Sequence, residues 1–332
     1  MTCWPVALVA VACAWGAPDA VARQPVKGAM TQPENRSGLG CGADNAAAVT
    51  ALQRRARLAG FYDHYLAVHG ANVLEWRLDG PARAVPIGAR HVSVAGQHGY
   101  AIDESDRLLR WRLGAAGVAP EVELDAVALA SAGDSGVLAI RCDGSLWQRR
   151  DGASAWQRVA SRAIHAWVGD SSDYYIDGDG QLFAAGKAHR GQYGTGRLSE
   201  APGWVFSSTG ARFVVAHTGH AVFLRNDGAV LGTGGNRFGP LATHGLGDKA
   251  DRWGVIFTGA AQIASGSRHT LALRDDGSLF GWGGADGTAP KPLMNGVTAI
   301  AAGLDGSAAI DTAGTLWRWR VGAPPQPVPV PP

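Results

Sequence analysis

The stretch LALRDDGSLFGWGG spans residues 271–284. An apolar run enters an Asp-Asp-Gly corner, a second apolar run leaves it, and glycines flank a tryptophan. Asp-Gly between two apolar runs is a hairpin pattern. Taken alone, the same corner would also suit an oxygen-rich metal loop or part of an active site. Recurrence separates these readings.

The corner recurs. Gly144 in AIRCDGSLW, Gly180 in YYIDGDGQLF, Gly228 in FLRNDGAVL and Gly314 in AAIDTAGTLW stand in the setting of Gly277. Each has an aliphatic residue four positions before it and an apolar residue two positions after it. Two looser copies lie upstream. AIDESDRLLRW (101–111) places Asp106 at the glycine position, and LAVHGANVLEW (66–76) places Asn72 there. Asn, Asp and Gly are the residues that best tolerate a positive φ, as a two-residue type I′ hairpin requires. Seven structural turns are therefore expected, at Asn72, Asp106, Gly144, Gly180, Gly228, Gly277 and Gly314.

Successive copies are 34, 38, 36, 48, 49 and 37 residues apart. That period holds the three or four short strands of a propeller blade. VALASAG (127–133), IHAWVG (164–169), AAQIASG (260–266) and VTAIAAG (297–303) each precede a turn and read as innermost strands, where a narrow axis favours small side chains. The expectation is an all-β fold, a seven-bladed β-propeller of short three- to four-stranded blades. Leu271, Leu273 and Leu279 fall at core positions, and Trp147, Trp282, Trp317 and Trp319 read as wedges between blades.

ASGSRHTLALRDDGSLFGWGG resembles the repeat of the regulator-of-chromosome-condensation family, with its glycine, histidine, short aliphatic strand, DG turn and aromatic leading into Trp-Gly. AAGKAHRGQYGTG (184–196) is similar to that family's Gly-x-Asn-x-x-Gly-Gln-Leu-Gly loop, with Ala188 and Tyr193 as departures; GTGGNRFGPLATHG (232–245) is a looser copy. The resemblance implies a seven-bladed propeller, in agreement with the turn count. It places PPQPVPVPP (324–332), otherwise a polyproline tract, in the outer strand of the last blade. The short blades look most like exported bacterial members, such as a secreted propeller-type β-lactamase inhibitor.

Residues 1–22 read as a signal peptide, with an apolar core and an Ala20-Val21-Ala22 cleavage site but no basic residue in front. Periplasmic or secreted localisation follows, with a lipoprotein anchored at Cys13 as the minority reading. The apolar run is too short to span a bilayer. Residues 23–48 read as a flexible leader and 49–332 as the propeller. AAAVTALQRRARLAG (46–60) favours a helix stopped by Gly60; alternatively VTAL is the first inner strand. Ring closure by packing, or by a strand lent from 46–60, stays open. So does the state of Cys41 and Cys142: a disulfide would tie leader to domain, and two free thiols are slightly favoured.

A net charge of +2 over 332 residues leaves no footprint for nucleic acid. DGDG (177–180) lacks the later bidentate acid of a Ca²⁺ loop, so no metal is expected. Gly133-Asp134-Ser135-Gly136 matches a serine-protease core, but Val168-Gly169-Asp170-Ser171-Ser172 repeats its register one unit later without a dedicated base. His64, His98, His220 and His269 share one register on separate blades, and the resemblance implies a structural role for them.

In an up-down blade, the loops after the first and third strands open on one face. Gln97, Asp134, Asp170, Arg190, Tyr193, Arg237, Phe238, Arg268 and Asp305 should therefore share a rim, where Arg, Tyr and Phe suit partner contacts. The reading is a non-catalytic, exported, monomeric scaffold without a cofactor. It would bind an unidentified protein through one face, as an inhibitor or regulator. The alternatives are an enzyme or small-ligand binder at the central channel mouth, and guanine-nucleotide exchange by family analogy.

Overall fold

The computed structural model describes residue 41 and residues 57–115, 117, 119–242 and 247–331. Residues 1–22, read as a signal peptide, most of the expected leader and the VTAL segment lie outside the described residues.

The described chain forms seven four-stranded antiparallel sheets, each built from four consecutive strands. Blade 1 is β1 Leu58–Phe61, β2 His64–His69, β3 Asn72–Arg77 and β4 Arg83–Val85. Blade 2 is β5 Ala89–Ala95, β6 His98–Asp103, β7 Leu108–Arg112 and β8 Glu121–Leu124. Blade 3 is β9 Val127–Gly133, β10 Gly136–Arg141, β11 Leu146–Arg150 and β12 Gln157–Ala160. Blade 4 is β13 Ala163–Val168, β14 Ser172–Asp177, β15 Leu182–Gly186 and β16 Val205–Ser208. Blade 5 is β17 Ala211–Ala216, β18 His220–Arg225, β19 Val230–Gly235 and β20 Lys249–Phe257. Blade 6 is β21 Gln262–Ser265, β22 His269–Leu273, β23 Leu279–Gly283 and β24 Lys291–Met294. Blade 7 is β25 Val297–Ala302, β26 Gly306–Asp311, β27 Leu316–Arg320 and β28 Gln326–Pro327.

The stamp of the sequence is a junction as well as a turn. In blades 2 to 7 the residue at the glycine position has a positive φ, from +60° at Asp106 to +82° at Gly314. The hairpins are not the two-residue type I′ turns expected from sequence. Gly277 N–H donates to Arg274 O, and Arg274 N–H donates to Ser278 O, which leaves a three-residue loop with one left-handed residue. One tolerant residue suffices, so Asp275 and Asp276 need no special conformation. Asp276 Oδ1 instead accepts the Ser278 N–H at 2.9 Å. Blade 1 departs from the register: Asn72 is the first residue of β3, paired with His69, and Gly70 takes the positive φ of +58° in a shorter turn.

The turn carbonyl also binds the next blade. Asp106, Gly144, Gly180, Gly228 and Gly277 accept the N–H of Val127, Ala163, Ala211, Ala260 and Val297 at 2.8–3.1 Å. Each acceptor thus tethers the start of the following inner strand.

Seven apolar clusters fill the seven junctions between neighbouring blades. Leu271 and Leu279 are fully buried, and so is Trp282, whose Nε1 donates to Pro240 O of blade 5 at 2.8 Å. Trp319 is buried, whereas Trp147 and Trp317 are half-buried near the turns. The first cluster joins Leu58, Tyr65 and Trp76 of blade 1 to Ala299, Ala308 and Val328 of blade 7. Among the described residues the ring therefore closes by packing, each blade keeping its own four consecutive strands. Gly60, expected to stop a helix, lies inside β1. A small residue is needed there, because a Cβ would sit 3.0 Å from Ala302 O across the seam. Gln326–Pro327 pairs with β27, so the Pro-rich tail is the outer strand of blade 7.

Cys41 and Cys142 form a disulfide, against the sequence preference for free thiols. The Cys41 N–H donates to Asp106 Oδ2 at 2.6 Å, which brings the tether onto the blade 2 turn. Asp106 lies beside the two sulfurs, but these are committed to each other.

Candidate functional site

The short turns after the first strands and the loops after the third strands open on the same face, as antiparallel four-strand order requires. On that face the nine rim residues separate into distinct settings.

Arg190, Arg237, Phe238, Arg268 and Asp305 gather over blades 4 to 7. Residues 187–204 and 236–248 are the loops after β15 and β19. They supply Arg190, Arg237 and Phe238, all exposed. Phe238 is 45% exposed although it is a large aromatic. Arg268 and Arg237 approach its ring at 5.1 and 5.8 Å, a cation–π arrangement that holds both guanidinium groups around an open apolar face. Arg268 is fixed from behind by Asp305, with Nη2 at 2.7 Å from both carboxylate oxygens. The Arg190 stem crosses onto blade 5, where a Cβ on Gly219 would lie 2.9 Å from its Cδ. Leu198, 42% exposed on the same blade 4 loop, was not singled out from sequence.

Tyr193 does not belong to this surface. It is fully buried, its hydroxyl donates to Gly186 O, and its carbonyl accepts Ser207 Oγ at 2.6 Å. The long loop folds back and uses this ring as its own core. Gln97 is exposed on blade 2, bonded to Arg112 and apart from the Phe238 cluster.

Asp134 and Asp170 sit at the mouth of the central channel, among residues that sequence reasoning missed. Tyr62, in the first turn of blade 1, donates its hydroxyl to Asp134 Oδ2 of blade 3 at 3.1 Å. Phe61 stacks on His217 of blade 5, with ring centroids 5.7 Å apart. His217 Nδ1 lies 3.2 Å from Asp170 Oδ2, and Thr218 Oγ1 donates to the same carboxylate. Burial pushes the Tyr62 hydroxyl up to about 12, with the two carboxylates adding to it. Burial and the Asp170 charge raise Asp134. Burial would also raise Asp170, but the bonds from His217 and Thr218 outweigh it and hold that carboxyl low.

The other motifs are spent on structure. Ser135 Oγ donates to Asp173 at 2.8 Å, and burial raises that carboxyl to about 6. Asp177 Oδ1 accepts the N–H groups of Asp179 and Gln181, closing its own turn. His220 and His269 are buried, each with Nε2 at 2.8 Å from the hydroxyl of Ser265 or Ser307 on the next blade. His64 and His98 are only half-buried.

Residues 260–286 match the family model of the Regulator of chromosome condensation (RCC1) repeat. No curated protein matches the sequence. Among solved structures, yeast RCC1 (Prp20) bound to Kap60 is similar with a TM-score of 0.62 and 18% identity, covering 76% of this chain and 77% of that one. Prp20p from Saccharomyces cerevisiae, in a structure whose subject includes binding to Gsp1p and histones, gives 0.58 and 17% identity, covering 73% and 75%. Human WBSCR16 gives 0.64 and 14%, covering 77% and 84%. The chain is thus similar to these proteins in fold, as an RCC1-like β-propeller.

Proposed function

Starting from an RCC1-like propeller, we propose that this protein is a non-catalytic scaffold that binds a partner protein through the face carrying Phe238. The observation that carries this reading is Phe238 itself, 45% exposed and flanked by Arg237 and Arg268. Aromatic and Arg side chains dominate protein–protein hot spots, and here Asp305 pre-orders one of them. The structural neighbours support the class of function, since yeast RCC1 is seen bound to Kap60 and Prp20p is studied for its binding to Gsp1p and histones.

We further propose that the chain works outside the reducing cytoplasm, as an inhibitor or regulator of its partner. The Cys41–Cys142 disulfide and the apolar start of the sequence support export. The test is affinity capture from periplasmic or secreted protein by the wild type, by the triple variant R190E/R237E/F238A, and by R162E on the opposite face. A partner held by the wild type and R162E but lost by the triple variant supports the reading. Retention by the triple variant overturns the face, and turnover of a substrate by the purified protein overturns the scaffold reading.

A further inference from the structure

The central channel contains a cavity of about 340 Å³. Its wall takes residues from the inner strand of every blade, among them Val94, Leu129, Ile164, Val215, Ile263 and Ile300. Several polar groups in that wall are turned to other work. His91 Nε2 bonds Ala130 O at 2.7 Å and His165 Nε2 bonds Val214 O at 2.9 Å. Trp167 Nε1 donates to Ala216 O at 2.8 Å. Ser93 and Ser131 hydroxyls accept the N–H groups of Ala132 and Val168, each at 3.0 Å. These bonds staple one inner strand to the next, replacing the sheet ladder that blades do not share.

The consequence is a chamber with mostly apolar walls, in which the guanidinium of the lining Arg212 is bonded to Ala260 O and Ala261 O. Burial lowers both His91 and His165 to about 4, so neither ring carries charge near neutral pH. Apart from the ring nitrogens His91 Nδ1 and His217 Nε2, water inside finds few groups with a bond to offer, and an apolar molecule displaces such water favourably. The volume lies at the lower end of the roughly 300–1,000 Å³ range of small-molecule pockets.

The same chamber is roofed. Phe61 and His217 both line it, and their rings stack at 5.7 Å although they come from blades 1 and 5, far apart on the ring. Contact between such distant blades spans the opening. Tyr62 continues the roof and latches it to blade 3 through Asp134 at 3.1 Å. Tyr62 has a φ of +51°, a left-handed conformation that a bulky residue seldom takes. Strain of this kind persists where surrounding contacts hold it, and here the latch and the His217 edge contact do so.

We propose that the roofed channel is a binding chamber for a small uncharged aromatic molecule, with Phe61 and Tyr62 as its lid. The site is separate from the Phe238 surface and stands or falls without it.

The probe is N-phenyl-1-naphthylamine, uncharged at neutral pH, titrated into the full chain by fluorescence. Saturable binding at one site per chain is expected. A264L and A302L add bulk at two wall positions, and together should weaken binding at least tenfold. Tyr62→Gly keeps the turn's backbone and removes the latch, and should speed both association and release. No saturable binding overturns the proposal. So does unchanged affinity in a filled variant that keeps the wild-type circular dichroism and urea midpoint. If the filled variant does not fold, wild-type crystals soaked in 1-bromonaphthalene decide the matter. A bromine peak inside the channel supports the chamber, and peaks found only elsewhere refute it. Exchange rates unaltered by Tyr62→Gly refute the lid.

Discussion

The carbonyl oxygen of Gly277 accepts the backbone N–H of Val297 at 3.0 Å, joining the hairpin turn of blade 6 to the first strand of blade 7. Gly277 has a φ of +81°, and a Cβ there would lie 3.2 Å from Gly296 Cα and 3.3 Å from Val297 N. Gly314 has nearly the same φ, +82°, but a Cβ there meets nothing within 4 Å. Both alanine variants bear the left-handed cost of about 1–2 kcal/mol. Gly277→Ala must also push the tethered backbone away, and should lose at least about 1 kcal/mol more. Urea unfolding of the two variants measures the difference, and equal midpoints would contradict the junction role.

Stability should fall as the pH drops from about 6.5 towards 4. Burial lowers His91 and His165 to about 4, and His220 and His269 to about 3. In the unfolded chain these groups take protons near 6.5, whereas in the folded chain they do not. Between the two values the unfolded state binds more protons, so each histidine removes about 1.4 kcal/mol per pH unit. Asp173, raised by burial to about 6, and Asp134, also raised by burial, run the other way: their contribution is present at low pH and lost as the pH rises, for Asp173 through 6. Four buried histidines outweigh two carboxyls. Urea midpoints at pH 7, 6 and 5 should decline in order, and a flat series would rule out neutral burial of these rings.

The turn register was legible because it is local: glycine, its aliphatic predecessor and its apolar successor lie within one hairpin, and φ chemistry restricts the letters. Asn72 misled because blade 1 makes a shorter turn around Gly70, one that carries no DG. The channel roof was illegible for the opposite reason. Phe61, Tyr62 and His217 have meaning only once blades 1, 3 and 5 face one another, and no spacing rule relates them. Tyr193 was placed on the rim by loop membership alone, and a loop long enough to fold back can bury its own residues.

Tyr193 and Phe238 therefore give opposite results on truncation. Tyr193→Ala opens a cavity beneath the blade 4 loop and unpairs the Gly186 carbonyl, and should cost about 3–5 kcal/mol. Phe238→Ala removes a ring already 45% exposed, so stability should change by no more than about 0.5 kcal/mol. Thermal unfolding distinguishes them. A strongly destabilised Phe238→Ala would make that ring structural and remove the basis for the partner face.

The disulfide should contribute mainly by holding residue 41 onto the blade 2 and blade 3 turns. Its partners are 101 residues apart, and loop closure on that scale is worth up to about 4–5 kcal/mol in the chain-entropy model. Reduction with dithiothreitol, and separately Cys142→Ser, should lower the urea midpoint by similar amounts. A midpoint unmoved by both would show that the tether adds nothing to the propeller.

Val328 is buried at 5% exposure in the cluster between blades 7 and 1, and its N–H donates to Leu316 O at 2.8 Å. Pro329 O accepts the Ala82 N–H of blade 1 at 3.0 Å. The tail thus acts as both outer strand and clasp. Ending the chain after Ala323 exposes the Val328 site, worth about 1.5–3 kcal/mol, and removes these two backbone bonds together with the Gln326–Pro327 pairing to β27, at about 1 kcal/mol per bond. A ring concentrates that loss at one junction, because every other junction keeps both of its blades. Arg318, bonded to Gly80 O, and Leu304 N–H, bonded to Tyr62 O at 2.7 Å, still span the seam. The truncated chain should therefore fold but unfold earlier. Hydrogen exchange should rise first in β1, β2, β26 and β27 and last in blades 3 to 5. Uniform exchange around the ring would show that closure is not carried by this seam.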